Sequence, residues 1–119
     1  MILNDLQQEL REFTTQRDWQ PFHTPKNLVM ALTAEVGELT ELFQWLTPDE
    51  SATVMDRPAE AARVREEIAD VFAYLLQLAD ALDVDLPTAL RGKMRQNAEK
   101  YPIPLSKGRA DKYDRLTGE

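Results

Sequence analysis

The sequence has no cysteine and a single histidine, His23, among its 119 residues. The lack of cysteine excludes a disulfide framework and a thiolate metal site. One histidine is too few for a histidine-rich metal site or for the usual di-iron bundle, which needs two Glu-x-x-His motifs. No apolar run approaches the roughly 18 residues of a membrane span, and the N-terminal residues do not resemble a secretion signal. We therefore expect a cytoplasmic protein with no membrane partner.

Basic residues are also scarce, because 14 lysines and arginines face 21 acidic residues and leave a formal net charge of -7. Such a chain should be repelled by a nucleic-acid backbone, so we expect no nucleic-acid partner. It would also repel a free triphosphate unless a cation neutralised part of the charge. The length fits one domain, and the 43% hydrophobic and 29% charged content is that of an ordinary globular protein.

Helical periodicity dominates, and no run alternates over the length of a strand, which predicts an all-α fold of the four-helix-bundle type. We predict helices over residues 3–17, 25–46, 58–82 and 87–100, with a loop over 49–57. Thr24 and Pro25 supply an N-cap and a proline at the first helical position. Prolines 102 and 104 end the last helix. This divides the chain into a helical domain, 1–104, and a polar tail, 105–119.

Two acidic pairs lie in the second and third predicted helices. Glu35 and Glu38 are three residues apart, with Glu35 near the centre of the apolar face and Glu38 on its shoulder. A carboxylate at the centre of a core-facing surface is costly unless something compensates its charge. On the third helix, Glu67 and Asp70 lie three residues apart beside the apolar face, on the same side as Tyr74.

The two pairs meet if these helices pack antiparallel. Four carboxylates in close quarters repel one another, and a divalent cation removes that repulsion. Oxygen ligands favour magnesium, manganese or calcium. The alternative is that both pairs are solvated helix faces, which are common. The central position of Glu35 favours a metal, because a solvated face does not explain it.

This quartet, Glu35-x-x-Glu38 followed after 28 residues by Glu67-x-x-Asp70, resembles the metal-binding signature of the MazG-like all-α nucleoside triphosphate pyrophosphohydrolases. Surrounding segments are similar to the dCTP pyrophosphatase branch over about residues 10 to 116. They include Arg17-Asp18-Trp19, Phe22-His23, Phe43-Gln44-Trp45, Val84-Asp85-Leu86-Pro87, Tyr101-Pro102 and Lys112-Tyr113.

The resemblance implies cleavage of a nucleoside triphosphate between its α- and β-phosphates, which gives a nucleoside monophosphate and diphosphate. It implies that Glu35, Glu38, Glu67 and Asp70 bind Mg²⁺, with Mn²⁺ as a possible substitute. A carboxylate of the cluster would take the proton of the attacking water. We favour Glu38 as this base, with Glu41 as the rival.

The resemblance also assigns substrate contacts. Trp19, His23 and Trp45 match positions at the nucleobase pocket, and Tyr74 lies on the same stripe as the metal ligands. For the tryptophans, core packing is the alternative. Lys93, Asn97 and Lys100 share one face of the fourth helix. Together with Tyr101 they would bind the phosphates or the sugar of the substrate. By spacing alone this face would be a solvated one.

Two positions depart from the dCTP branch: Arg95 stands where an acidic residue is usual, and Leu10 where a histidine is expected. We therefore predict a Mg²⁺-dependent dNTP pyrophosphohydrolase that favours dCTP or a modified pyrimidine nucleotide. The alternatives are a broader nucleotide pyrophosphohydrolase and a non-catalytic helical module that binds nucleotide or a protein partner. The family forms dimers or tetramers, which agrees with helices whose apolar faces need a partner.

Overall fold

The computed structural model of the protein describes residues 1–108, and every regular element among them is helical. The six α-helices are α1 (Ile2–Gln16), α2 (Pro25–Phe43), α3 (Pro48–Ala52), α4 (Pro58–Ala81), α5 (Leu86–Lys100) and α6 (Ile103–Ser106). Short 3-10 turns lie at Gln20–Phe22 and Val54–Asp56. The predicted all-α fold is confirmed. None of the helices of residues 1–108 has both the length and the apolar character needed to cross a bilayer.

Capping residues explain where the long helices begin. The Thr24 hydroxyl accepts a hydrogen bond from the Asn27 backbone N–H at 3.2 Å, and Pro25 follows as the first helical residue of α2. The Asp85 carboxylate accepts one from the Thr88 N–H at 3.0 Å at the start of α5. Proline also opens α4. The predicted starts at residues 25 and 58 are therefore confirmed.

Three details of the predicted helices are wrong. α2 ends at Phe43 rather than at residue 46. The predicted loop over 49–57 contains α3 and a 3-10 turn, because Thr47 and Glu50 form a reciprocal capping box in which each side chain accepts from the other's backbone N–H. α5 ends at Lys100 as predicted, but the chain then forms the short α6, which the periodicity does not predict; the prolines permit it because Pro102 is its N-cap and Pro104 lies in its first turn.

The described residues form two compact units, the first Met1–Asp83 and the second beginning at Val84. In the first unit α4 is central and packs against α2 and α1. The Gln7 amide donates to the Leu76 carbonyl at 3.0 Å, and Arg11 pairs with Asp80 at 2.6 Å, which ties α1 to α4. The buried apolar side chains are Leu28, Val54, Ala61, Val64, Leu76 and Ala79.

Much of the predicted apolar surface stays exposed in the protomer. On α2 Val36 is 44% exposed, on α4 Ile68 is 52% exposed, and Leu82, the C-cap residue of α4, is 54% exposed. These side chains continue the apolar faces of their helices, but the described residues of one chain do not cover them. The division at residue 104 stays a prediction, and residues 109–119 of the predicted tail lie outside the described part of the chain.

Candidate metal centre

Helices α2 and α4 place their acidic residues side by side, because they form the most extensive helix pair in the structure. One carboxylate oxygen from each of Glu35, Glu38 and Glu67 lies within 4.8 Å of the other two. Glu35 and Glu67 are half-buried, whereas Glu38 is exposed. Three of the four predicted metal ligands therefore converge on one point.

Two oxygens of this group, Oε2 of Glu35 and Oε2 of Glu67, are buried without a hydrogen-bond partner. Buried carboxylate oxygens are normally satisfied by donors, so two unsatisfied ones on facing helices need an explanation. A set of oxygen atoms with no nitrogen or sulfur suits a hard cation such as Mg²⁺, Mn²⁺ or Ca²⁺. The residues present thus fit a divalent metal ion.

The electrostatics of the cluster lead to the same conclusion. Burial raises the pKa of Glu35 from its ordinary 4.5 to about 7, assisted by the adjacent carboxyl groups of Glu67 and Glu38 and by the charge of Asp70. Burial likewise raises the pKa of Glu67, and the carboxylates of Glu38 and Asp70 add to that rise. Carboxyl groups that disfavour each other's ionised form are stabilised as anions by a shared cation.

The remaining acidic candidates lie at the edge of the cluster. Asp70 is exposed on α4 and is not one of the three converging carboxylates, although it is near enough for its charge to raise the pKa of both Glu35 and Glu67. Glu41 is exposed on α2 and also lies outside the converging group. Between the two base candidates, only Glu38 belongs to the group.

The predicted aromatic contacts Trp19 and His23 lie together after α1. Their rings are 6.2 Å apart between centroids, with an interplanar angle of 62°. Trp19 is 42% exposed, and His23 is half-buried. Trp45 is 85% exposed in the turn that follows α2. Neither tryptophan is fully buried in the described part of the protomer, and their contact with a base stays a prediction.

Tyr74 is half-buried on α4, one turn beyond Asp70. The other predicted contacts belong to the second unit, where Lys93, Asn97 and Lys100 are exposed on α5. Tyr101 caps that helix, and its backbone N–H donates to the Asn97 carbonyl at 2.8 Å. Lys93, Asn97 and Lys100 thus lie on one helix with Tyr101 at its end, and their contact with substrate stays a prediction.

Sequence reasoning did not single out Phe13 and Arg17 as functional residues. The Phe13 ring lies 5.7 Å from that of Trp19, and the Arg17 guanidinium lies 3.6 Å above the Phe13 ring. Phe13 continues the apolar spacing of Leu6 and Leu10 along α1, and that spacing gives no sign of a ring contact across the helix end. The i, i+4 spacing of Phe13 and Arg17 was the available signal.

Comparison with known proteins places this geometry in a family. The MazG-like family profile matches residues 30–116, which include all four predicted metal ligands. The chain belongs to the MazG-like family. Over 114 residues this MazG-like chain is 46% identical to dCTP pyrophosphatase 1 of Rattus norvegicus and 45% identical to that of Homo sapiens. Each match covers 96% of the chain and 67% of the relative.

A solved structure supports the same placement of the MazG-like chain. A pyrophosphatase from Archaeoglobus fulgidus superposes with a TM-score of 0.79 at 43% sequence identity. The match covers 86% of this chain and 94% of the archaeal one. Because the identity is high as well as the structural similarity, the two chains share more than a helical architecture.

Proposed function

We propose that the protein is a Mg²⁺-dependent nucleotide pyrophosphohydrolase that converts dCTP and water into dCMP and diphosphate. The observation that carries this proposal is the convergence of Glu35, Glu38 and Glu67 from two helices around buried, unsatisfied oxygens. The preference for dCTP is supported by the names of the relatives that are 45–46% identical to this chain. A modified pyrimidine nucleotide would satisfy the same reasoning.

In this proposal Glu35, Glu38, Glu67 and Asp70 hold the cation. When bound, Mg²⁺ would neutralise phosphate charge and help to orient a water molecule. The protein's own contribution to the proton transfer is a carboxylate that accepts the proton of that water. We assign this role to Glu38, because it is an exposed member of the converging group, and keep Glu41 as the rival.

Base and phosphate recognition would fall to the exposed aromatic and cationic side chains. Trp19, His23, Trp45 and Tyr74 would contact the nucleobase, since flat aromatic rings stack on bases. Lys93 and Lys100 would bind phosphate oxygens as point charges, with Asn97 and Tyr101 on the sugar or phosphates. The 85% exposure of Trp45 supports this, because its indole is accessible for stacking on a base.

We also propose that the protein acts as a homodimer or homotetramer in the cytoplasm, with residues 1–104 as the helical domain. The oligomer is supported by the exposed apolar residues of α2 and α4, including Val36 and Ile68. The net charge of -7 supports the view that nucleic acid is not a partner.

The test is diphosphate release from a panel of canonical and modified dNTPs and NTPs, with and without Mg²⁺. We expect Mg²⁺-dependent release that is fastest with dCTP-like substrates. Release from many bases would support a broader pyrophosphohydrolase. If the folded protein releases no diphosphate from any nucleotide of the panel, the result would contradict an enzymatic function and favour the non-catalytic binding module. Glu38→Gln should abolish turnover with the helical fold intact, whereas full activity in that variant would overturn the metal assignment.

A further inference from the structure

A row of four side chains crosses the end of α1. The Arg17 guanidinium lies 3.6 Å above the Phe13 ring, whose centroid is 5.7 Å from that of Trp19 at an interplanar angle of 70°. Trp19 in turn meets His23 edge to face. We call Arg17, Phe13, Trp19 and His23 the α1-end row. Its contacts have the geometry of favourable cation–π and aromatic pairs.

The backbone under this row is fixed by a helix C-cap of the Schellman type. The Trp19 N–H donates to the Thr14 carbonyl at 3.0 Å, and the Asp18 N–H donates to the Thr15 carbonyl at 3.1 Å. Asp18 takes the left-handed conformation that this cap requires, with φ of 54°. The motif therefore ties the Trp19 backbone to the last turn of α1.

The cap fixes the Trp19 backbone but not its side-chain torsions. Phe13 can restrain them, because its ring meets the indole at an angle and also lines an apolar groove of about 320 Å³ with Leu10 and Leu76. The Arg17 guanidinium also covers the Phe13 ring, and its Nη1 donates to the Phe13 carbonyl at 2.9 Å. Phe13 is nevertheless 46% exposed, so the buried core does not account for an aromatic ring at this position.

We propose that Phe13 and Arg17 are positioning residues that hold the Trp19 indole in the orientation in which it receives a nucleobase. This inference rests on the proposed function, in which Trp19 contacts the base. A side chain that is ordered before binding loses less conformational entropy on binding. Because neither residue belongs to the acidic group, their loss weakens substrate binding and leaves the chemical step unchanged.

The kinetic test compares Phe13→Leu, which keeps an apolar side chain but removes the ring, with Phe13→Tyr, which keeps the ring. Losing one aromatic pair should raise KM for dCTP by about threefold to tenfold. The value of kcat should change by less than about twofold, since the chemical step is untouched. Phe13→Tyr should restore the KM of the unaltered protein. Gln16→Ala, an exposed change in the same helical turn, is the matched control.

A second readout does not depend on catalysis. In a Trp45→Phe background Trp19 is the remaining tryptophan, so its fluorescence anisotropy reports the mobility of its own ring. Phe13→Leu and Arg17→Gln should each lower this anisotropy, whereas Gln16→Ala should not. Arg17 is exposed, so its variant keeps the test available if Phe13→Leu does not fold.

Unchanged anisotropy in both variants would overturn the proposal, as would a loss in kcat with KM unaltered. A Phe13→Tyr variant that behaves like Phe13→Leu would overturn it too, because the ring would then be irrelevant. If the unaltered protein hydrolyses no nucleotide, the proposed function fails, and the anisotropy still decides whether Phe13 and Arg17 hold Trp19.

Discussion

Burial and neighbouring carboxylates act together on Glu35. Its carboxyl group lies on the α2 face that packs towards α4, with one oxygen buried and unsatisfied and with Glu38 and Glu67 beside it. The sequence pattern identified it because a carboxylate at the centre of an apolar stripe has no ordinary explanation. The pKa of about 7 follows from the same placement.

The raised pKa of Glu35 predicts that stabilisation by Mg²⁺ depends on pH. The folded, metal-free protein holds this proton more tightly than the unfolded chain, so its stability falls as pH rises from 4.5 through about 7. A cation binds the ionised carboxylate, so the gain in Tm on adding Mg²⁺ should grow over the same interval.

Thermal unfolding with and without Mg²⁺ at about pH 6 and about pH 8 measures this dependence. We expect the larger increase in Tm at the higher pH. Glu35→Gln should raise the Tm of the metal-free protein at the higher pH and remove most of the Mg²⁺ effect, whereas Glu66→Gln, an exposed neighbour on α4, should preserve it. An equal increase at both pH values would contradict the account.

Trp45 offers a second residue-scale prediction. Base stacking on an aromatic side chain contributes about 1–3 kcal/mol, so Trp45→Ala should raise KM for dCTP about fivefold or more. Its side chain is 85% exposed, so the free energy of unfolding should change by no more than about 0.5 kcal/mol. Steady-state kinetics and denaturant unfolding measure the two effects. The KM of Trp45→Phe should lie between that of the unaltered protein and that of Trp45→Ala. An unchanged KM in Trp45→Ala would remove Trp45 from the substrate site.

At the scale of the helix, the cap of α2 supports the elements that carry the site. The Thr24 hydroxyl accepts one of the free N–H groups at the start of the helix that bears Glu35 and Glu38. Thr24→Ala should therefore lower the free energy of unfolding by about 1 kcal/mol. Thr33→Ala is the control, because this exposed hydroxyl merely bonds to the Val29 carbonyl of its own helix.

Urea denaturation of the two threonine variants measures the difference. A loss in Thr33→Ala equal to that in Thr24→Ala would show that losing any hydroxyl-to-backbone hydrogen bond, rather than the cap, lowers stability, because alanine itself favours the helix interior over threonine. With the Thr24 cap weakened but the helix still formed, Mg²⁺ should continue to stabilise the variant, because the carboxylates lie three turns further along α2.

The helices differ in how well their sequences predicted them. α2 and α4 are long, strongly periodic and opened by proline, so their existence and starts were predictable. α3 has five residues, too few to show a period, and only its capping box marked it. The close approach of Glu38 to Glu67 was predictable only as a consequence of antiparallel packing, because spacing along one helix does not locate a second helix.

At the scale of the whole molecule, the exposed apolar residues of α2 and α4 predict self-association. Val36, Ile68 and Phe72 are each more than two-fifths exposed, although they continue the faces that bury Leu28 and Val64. A monomer would leave this surface in water. Sedimentation velocity over a range of concentrations should give the mass of a dimer or a tetramer. A species of 13.6 kDa at all concentrations would contradict the prediction.

The proposed function requires that the protein cleave one particular bond, between the α- and β-phosphates of dCTP. The most direct measurement is phosphorus NMR of the products formed from dCTP in the presence of Mg²⁺. We expect dCMP and diphosphate in equal amounts, with formation of both lost in Glu38→Gln. Orthophosphate and dCDP as the products, or unreacted dCTP with a folded protein, would contradict it.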